Sequence, residues 1–368
     1  MILMEMSDDC ETEMEQFNKY ATTRKGKGSK YMCDDSSRGN RNGPDEYVVK
    51  KLDLLAALQE KGSFRERGYH LAAGRLRNHP KEIYKLEQLI ELRGIGEKLA
   101  KKIVEIHRTG THRRLEYKTP RDTAVAAFAE VYGIGPALSI DLWDHGAKTT
   151  DDLRDHPEKY GLHEAQILGL KYYKERIPRE EVTALLKTAE AEAIKLDLKI
   201  RLFCMGFYRR GQPDSGDIDL LLTRDTTDGL DHTGYVKKLW KRLRKVGMAQ
   251  HVLSEPSDGW DKLDAKVNGL CRLPKGGKMR RIEILGVPFS ELPAALIYFT
   301  GNDYFNRSLG LKARHLGYRL NQRELYKDVS RARDGTKITE GVLVQGMDSE
   351  QIFNRLGVKW RPPEERMP

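Results

Sequence analysis

The sequence predicts a multidomain α+β protein, in which helical segments come first and a mixed β-sheet region follows. Three observations predict this organisation. Helical periodicity and two glycine turns fill residues 46–195, whereas apolar strand-like runs begin at about residue 196. Within one of those runs two aspartates stand two residues apart, so both side chains project from one face of a strand. The length of 368 residues accommodates about two to four domains.

Composition narrows the class of protein. Charged residues make up 33% of the chain, hydrophobic residues 39%, and the formal net charge is +10. A basic balance favours polyanionic partners such as nucleic acid, although a solvated basic surface is the alternative explanation. No apolar run approaches the roughly 18 residues of a membrane span. The four cysteines, at positions 10, 33, 204 and 271, are too scattered for a metal or disulfide pattern, which favours a reducing compartment.

Residues 1–45 are predicted to form a flexible arm. They are polar and are broken by glycine, serine, aspartate and asparagine, so they contain too little apolar surface to order themselves alone. A short basic stretch at 24–30 suits either nuclear import or simple solvation.

Residues 46–120 and 121–195 are predicted to be two helical regions, each with one copy of the same turn. The first copy is Gly94-Ile95-Gly96, and the second, about forty residues later, is Gly133-Ile134-Gly135. Each follows an apolar helix end and opens a new helix, which is the helix-hairpin-helix pattern. Glycine allows close approach to a phosphate, and the helix N-terminus offers free N–H groups. Such contacts bind DNA without reading its sequence. A single turn of this kind is weak evidence, but two in a basic chain favour DNA binding.

Residues from about 196 onward are predicted to form a sheet with helices on one side. A basic helix is predicted at Tyr235–Val246, among the strands. The predicted strands are Ile200–Met205, Ile218–Thr223, Ala265–Arg272 and Arg281–Val287.

The two aspartates are Asp217 and Asp219, and they follow a basic, glycine-rich turn. Paired carboxylates hold hard divalent cations such as Mg²⁺. The turn adds Arg210, Ser215 and Gly216, which suit phosphate oxygens. Metal ligands beside a phosphate cradle indicate nucleotidyl transfer.

Together these motifs resemble the family X DNA polymerases, in the beta/lambda branch that includes the fungal enzymes called polymerase four. The resemblance extends from about residue 50 to the C-terminus. It implies a helical lyase-type domain at 46–120, a helical fingers domain at 121–195, a nucleotidyltransferase-fold palm at 196–296 and a small α/β thumb for nucleotide selection at 297–368.

The resemblance implies two-metal catalysis by Asp217, Asp219 and Glu283, with two Mg²⁺ ions for which Mn²⁺ can substitute. Glu283 stands where the family normally has aspartate, so we expect a weakened chemical step. The resemblance assigns nucleotide binding to Gly206, Arg210, Ser215, Gly216, Tyr298, Phe299, Gly301, Asp303 and Asn306. Phe207 replaces a phosphate-binding serine that the beta branch often has.

The resemblance also implies contacts to DNA and a second chemistry. It assigns DNA contacts to Arg65, Tyr69, Gly94, Gly96, Lys98, Arg114, Gly133, Gly135, Lys266, Arg281 and Arg307. A monovalent cation, Na⁺ or K⁺, is expected at the hairpins. Lys102 occupies the position of the 5′-deoxyribose-phosphate lyase nucleophile, whose neutral amine attacks a sugar aldehyde. The alternative is a basic DNA-contacting face without lyase chemistry.

The leading hypothesis is a monomeric, nuclear, DNA-directed DNA polymerase that fills short gaps in base excision repair or non-homologous end joining. Its implied partners are gapped or nicked double-stranded DNA, deoxynucleoside triphosphates and repair or end-joining proteins, with no membrane. One alternative is a template-independent nucleotidyltransferase, although such relatives carry Gly-Trp in place of Tyr298-Phe299. The other is a DNA-end-binding scaffold whose catalysis is impaired by Glu283.

Overall fold

The computed structural model describes residues 33, 45–57, 59, 63–77, 79, 83–116, 119–172, 175–332 and 337–366. The chain divides into two compact units, one made of residues 1–118 and 301–368 and the other of residues 119–300. Nearly all of the arm predicted at 1–45 lies outside the described residues. In the described ranges, no helix combines the length and apolar character needed to cross a membrane.

The first part of the first unit is helical, as predicted. Gly110, in the left-handed conformation with a φ of 75°, caps the C-terminus of the helix at residues 97–109. The helices are α1 (Glu46–Ala57), α2 (Phe64–Arg77), α3 (Leu86–Glu91), α4 (Glu97–Thr109) and α5 (Arg113–Glu116). Their apolar faces share one core, which includes Leu52, Leu76, Leu89, Ile103 and Ile106, each fully buried.

The second unit begins with four more helices. They are α6 (Pro120–Ala129), α7 (Pro136–Asp144), α8 (Thr150–Asp155) and α9 (Glu164–Lys171). Thr119 and Asp122 form a capping box at the start of α6, which satisfies backbone N–H groups that have no partner within the helix. Phe128, Ile134 and Leu142 lie in the core of this helical group.

A five-stranded sheet forms the centre of the second unit. Its elements follow α9 in the order β1 (Ile177–Pro178), α10 (Arg179–Ile194), β2 (Ile200–Cys204), α11 (Gly206–Arg209), β3 (Asp214–Ser215), β4 (Ile218–Arg224), α12 (Tyr235–Lys245), β5 (Ala249–Ser254), β6 (Lys266–Cys271), β7 (Arg280–Gly286) and α13 (Leu292–Thr300). The strand order in the sheet is β2-β4-β7-β6-β5, and β1 pairs separately with β3. Strands β4 and β7 run parallel, whereas the other neighbouring strands are antiparallel.

Alternation along the strands decides which side chains reach each face of the sheet. Ile218, Leu220 and Ile284 pack with α10 and α12 in the main core. The intervening residues therefore project from the opposite face. The prediction that helices cover one side only is wrong, because α13 packs on this second face through Phe299 against Leu221 and neighbouring apolar side chains.

The C-terminal part of the first unit is a small mixed segment. It contains α14 (Asp303–His315), β8 (Arg319–Leu320), β9 (Leu325–Lys327), β10 (Val342–Leu343) and α15 (Ser349–Arg355), with strand order β10-β9-β8. Phe305 stacks on Phe353 at 5.7 Å, and the buried Arg366 lies 5.0 Å from the Phe353 ring. The overall α+β prediction is confirmed.

Candidate active site

The structure brings the three predicted acidic residues together on one face of the sheet. Asp219 on β4 lies directly opposite Glu283 on the parallel strand β7. Asp217 precedes β4 by one residue and, two positions from Asp219, projects from the same face. We call these three residues the acidic centre. Gly206 borders it, because a Cβ atom at this left-handed position would lie 3.0 Å from Asp219 Oδ2.

The acidic centre concentrates negative charge in a buried place. Burial, together with the charges of Asp217 and Glu283, raises the pKa of Asp219 to about 7. The Oδ1 atom of Asp219 is buried and has no hydrogen-bond partner within the described part of the chain. A buried acceptor of this kind is costly unless a partner such as a cation binds it.

Two basic residues form ion pairs with Glu283 and Asp217 of the acidic centre. Lys266 Nζ lies 2.8 Å from Glu283 Oε2, and Arg281 Nη2 lies 3.4 Å from Asp217 Oδ2. Within the ranges that the structure describes, no group of three His, Cys, Asp or Glu side chains is arranged to hold a metal ion. The donor set nevertheless suits a hard divalent cation, since it offers carboxylate oxygens only and Asp219 Oδ1 lacks a partner. To bind the ion, the Glu283 carboxylate would give up its ion pair with Lys266.

A cluster of basic and aromatic residues lies beside the predicted phosphate turn. Pairing of β1 with β3 sets Ile177 opposite Ser215 and so brings Arg176 to Gly216, where a Cβ atom would lie 3.6 Å from Arg176 Nη1. Arg176 is also held by Asp214, with nitrogen–oxygen distances of 2.9 and 2.5 Å. Arg176 was not predicted from the sequence as a site residue. Its only signal in the sequence is its place in a basic segment just before Ile177-Pro178.

Arg210 and Ser215, both predicted to bind phosphate, are buried at 7% and 3% exposure. Arg210 Nη1 donates a hydrogen bond to the Thr300 carbonyl at the end of α13. The ring of Phe207 lies 4.7 Å from the Arg210 guanidinium and 4.8 Å from that of Arg176. The Phe207 ring therefore contacts two guanidinium groups, that of Arg210 in the turn and that of Arg176 just before β1.

A cleft of about 520 Å³ opens within the second unit beside these residues. Three arginines, Arg176, Arg280 and Arg281, contribute to its wall. Arg280 is held by Glu181 through nitrogen–oxygen distances of 2.8 and 2.7 Å, which fixes its guanidinium. The full lining is Ala129, Glu130, Tyr132, Gly169, Tyr172, Glu175, Arg176, Ile177, Gly216, Leu253, Leu270, Met279, Arg280 and Arg281.

The predicted nucleotide-selection residues fall in both units. Tyr298 and Phe299 belong to the second unit, and their rings make a T-shaped contact at 5.1 Å. Phe299 is 6% exposed and is part of the core under the sheet, whereas Tyr298 is half-buried. The remaining predicted residues belong to the first unit, at the start of α14: Gly301, Asp303, Asn306 and Arg307. The Asn302 side chain caps this helix by accepting from the Phe305 N–H at 2.9 Å.

The predicted lyase residues lie in the first unit. Lys102 on α4 donates a hydrogen bond to the hydroxyl of the buried Tyr69 and lies 4.8 Å from its ring centroid. Lys98, Arg65 and Arg114 are exposed and free of the core. The structure thus brings Lys102 and Tyr69 into contact and presents the three other cations to solvent.

His112 is a buried residue near this lysine that sequence analysis missed. Its Nδ1 accepts from the Arg114 N–H at 3.1 Å, and its Nε2 faces Glu105 Oε2 at 3.6 Å. Burial lowers the pKa of His112, and the charges of Lys102 and Arg114 add to that effect while Glu105 opposes it. A histidine within a basic helical stretch gave no signal of this burial.

The two predicted hairpins have the same local geometry. Gly94 and Gly133 have φ values of 85° and 77°, and the glycine two residues later starts α4 or α7 without a side-chain cap. In the second hairpin the Gly133 carbonyl accepts from Gln166 Nε2 at 2.8 Å. The uncapped helix starts leave backbone N–H groups available for an anion.

Four segments of the chain match protein-family models. They are the DNA polymerase beta palm at residues 176–289, the DNA polymerase beta thumb at 295–367, a helix-hairpin-helix domain at 45–112 and the fingers domain of DNA polymerase lambda at 126–176.

Similar curated proteins carry names from one group of enzymes. DNA polymerase lambda of Rattus norvegicus is 30% identical over 345 residues, which cover 92% of this chain and 59% of that protein. DNA polymerase lambda of Arabidopsis thaliana is 32% identical over 337 residues, covering 89% and 62%. DNA-directed DNA/RNA polymerase mu of Homo sapiens is 27% identical over 326 residues, covering 80% and 63%. The chain thus spans about three fifths of the length of these relatives.

Proposed function

The chain belongs to the beta/lambda branch of the family X DNA polymerases, and from this membership we propose that it is a DNA-directed DNA polymerase that fills short gaps. One observation carries the proposal most directly. Asp219 and Glu283 stand opposite each other on parallel strands with Asp217 beside them, next to an arginine-rich turn. Carboxylates beside phosphate-binding cations are what nucleotidyl transfer requires.

The acidic centre is proposed to hold two divalent ions, Mg²⁺ or in its place Mn²⁺. When bound, these ions neutralise phosphate charge and activate the primer 3′-hydroxyl. Asp219 contributes the buried oxygen that lacks a partner, and Asp217 and Glu283 supply the outer ligands. Arg281, which contacts Asp217 at 3.4 Å, orients that carboxylate and reaches toward the primer end.

The phosphate turn is proposed to hold the triphosphate. Arg210, Ser215 and Gly216 supply a guanidinium, a hydroxyl and an open backbone edge. Tyr298 borders the sugar, while the residues at the start of α14 select the base and touch the template. Those residues are Gly301, Asp303, Asn306 and Arg307.

The helical regions are proposed to hold gapped or nicked DNA. The starts of α4 and α7 bind phosphates through backbone N–H groups, with a monovalent cation at each hairpin. Lys266 is a further DNA contact once it leaves Glu283. Lys102 is the lyase nucleophile, and Arg65, Tyr69, Lys98 and Arg114 hold the 5′-phosphate. The proposed domain boundaries are 46–120, 121–195, 196–296 and 297–368.

The biological setting belongs to the same proposal. We expect a nuclear monomer that works in base excision repair or end joining with proteins of those pathways. The support is the DNA polymerase lambda name of two relatives, together with the family models that match.

Extension of a primer across a one-nucleotide gap tests the function. The wild-type protein should insert the templated nucleotide with Mg²⁺ or Mn²⁺, and Glu283→Asp should insert it about ten to a hundred times faster, because a shorter carboxylate restores near-attack geometry. Insertion without a template would favour the template-independent alternative. DNA binding with no insertion by either protein would favour the scaffold, an outcome consistent with the pairing of Glu283 with Lys266.

A further inference from the structure

Phe207 makes an unusual pair of contacts for a half-exposed apolar side chain. It is 40% exposed, yet its ring centroid lies 4.8 Å from the Arg176 guanidinium and 4.7 Å from that of Arg210. A cation within about 6 Å of an aromatic centroid is attracted by the ring quadrupole. One ring therefore holds two cations that would otherwise repel each other.

Each guanidinium is also anchored away from the ring. Asp214 holds Arg176, with nitrogen–oxygen distances of 2.9 and 2.5 Å, and the Thr300 carbonyl holds Arg210. Arg210 is 7% exposed and is the fixed member, whereas the Arg176 side chain is 49% exposed. Because both cations share one centroid, they lie no more than about 10 Å apart.

The chemistry of this arrangement fits a chain of phosphates better than a single phosphate. Two guanidinium groups can engage neighbouring phosphoryl groups, each through paired N–H donors. A Cβ atom at Gly216 would lie 3.6 Å from Arg176 Nη1. Because glycine has no Cβ, its backbone leaves room for a phosphate to approach Arg176. The ring carries no hydrogen-bonding group, so it aligns the arginines without competing for them.

We propose that Phe207 is a positioning residue that holds Arg176 and Arg210 as a paired site for the terminal phosphates of the incoming nucleotide. The proposal rests on the proposed polymerase function for the identity of the ligand. It assigns to Phe207 a role that a serine side chain, which has no ring, could not fill at this position. The two arginines are aligned before the ligand binds. The entropy cost of ordering their long side chains therefore does not reduce the affinity for the ligand.

The test compares Phe207→Leu with Phe207→Tyr, which keeps the ring. In gap filling, Phe207→Leu should raise the KM for all four deoxynucleotides by about tenfold, with kcat within about twofold, because two cation–π contacts are lost and no base contact changes. Phe207→Tyr should stay close to wild type. Unchanged KM in Phe207→Leu, a loss confined to kcat, or a loss that differs among the four bases would overturn the proposal.

A double-mutant cycle separates positioning from bulk packing. If Phe207 acts through Arg176, the effect of Phe207→Leu on KM should shrink to about threefold or less in an Arg176→Gln background. Full additivity would contradict the proposal.

Calorimetric binding of inorganic tripolyphosphate to the protein without DNA keeps this inference separate from polymerase activity. Wild type and Phe207→Tyr should bind it about tenfold more tightly than Phe207→Leu. If wild type binds tripolyphosphate in this pattern but extends no primer, the proposed function fails and the paired site stands. If primers are extended but tripolyphosphate binding does not depend on the ring, the paired site fails and the function stands.

Discussion

Replacing Asp219 with asparagine should stabilise the protein in the absence of divalent metal, while removing the activity proposed for it. Burial, Asp217 and Glu283 raise the pKa of Asp219 from 3.8 to about 7. Each pKa unit corresponds to about 1.4 kcal/mol, so ionising Asp219 in the native state costs at most about 4 kcal/mol at neutral pH. Because the three carboxylates share this cost, we expect a gain of about 2–4 kcal/mol in Asp219→Asn.

The pH dependence has a definite sign. A carboxyl group whose pKa is higher in the native state than in the unfolded chain binds its proton more tightly when folded. Its contribution to stability is therefore complete below pH 3.8 and is lost as the pH rises through about 7. Wild type should lose stability relative to Asp219→Asn between pH 5 and pH 8.

Thermal unfolding in EDTA at pH 5, 6, 7 and 8 measures this difference. For a unit of this size, the expected gain raises the midpoint of Asp219→Asn by about 5–10 °C at pH 8 and by much less at pH 5. The exposed Asp258 supplies the matched control, Asp258→Asn, which removes a carboxylate outside the acidic centre. An Asp219→Asn variant no more stable than the control at pH 8 would show that ionising the buried Asp219 carries no such cost.

Three further predictions address other parts of the molecule. Lys266→Met removes the ammonium group that lies 2.8 Å from Glu283, so the affinity for Mn²⁺, measured by calorimetry, should rise about tenfold because a competing positive charge is lost. Unchanged affinity would show that the ion pair does not compete with the metal. Lys102→Ala should abolish the borohydride-trapped adduct with an incised abasic site. The control Lys101→Ala, which removes an exposed partner of Glu97, should keep the adduct. Trapping that survives in Lys102→Ala would exclude Lys102 as the nucleophile. Gly94→Ala should lower the free energy of unfolding by about 1–3 kcal/mol in denaturant titration, since its Cβ would clash with Leu71 Cδ2 and its φ of 85° disfavours a side chain. Gly68→Ala, in open helical space, should instead raise the free energy of unfolding by about 0.5–1 kcal/mol. Equal effects of the two substitutions would contradict the hairpin geometry.

The acidic centre could be predicted because it follows from the local spacing of two residues and from a family motif. Two aspartates at a spacing of two on an apolar strand must share a face, and the resemblance named Glu283 as their companion. The pairing of Glu283 with Lys266 could not be predicted in the same way. It depends on the long-range register that sets β6 beside β7, which periodicity does not specify.

Other features escaped prediction for related reasons. Arg176 reaches the phosphate turn only because two very short strands, β1 and β3, pair across 38 positions of sequence. Phe299 was predicted through its motif to bind nucleotide, but its burial under the sheet could not be predicted, because helix α13 is apolar on all sides. A helix without an amphipathic stripe does not reveal which of its faces will be covered.

The proposed activity requires that Asp217, Asp219 and Glu283 form one divalent-cation site. Titration of the DNA-free protein with Mn²⁺, followed by electron paramagnetic resonance, tests it directly. We expect Asp217→Asn, Asp219→Asn and Glu283→Gln each to weaken Mn²⁺ binding at least about tenfold, and Asp258→Asn to leave it unchanged. Mn²⁺ binding that persists at full strength in any of the three variants would contradict a shared site.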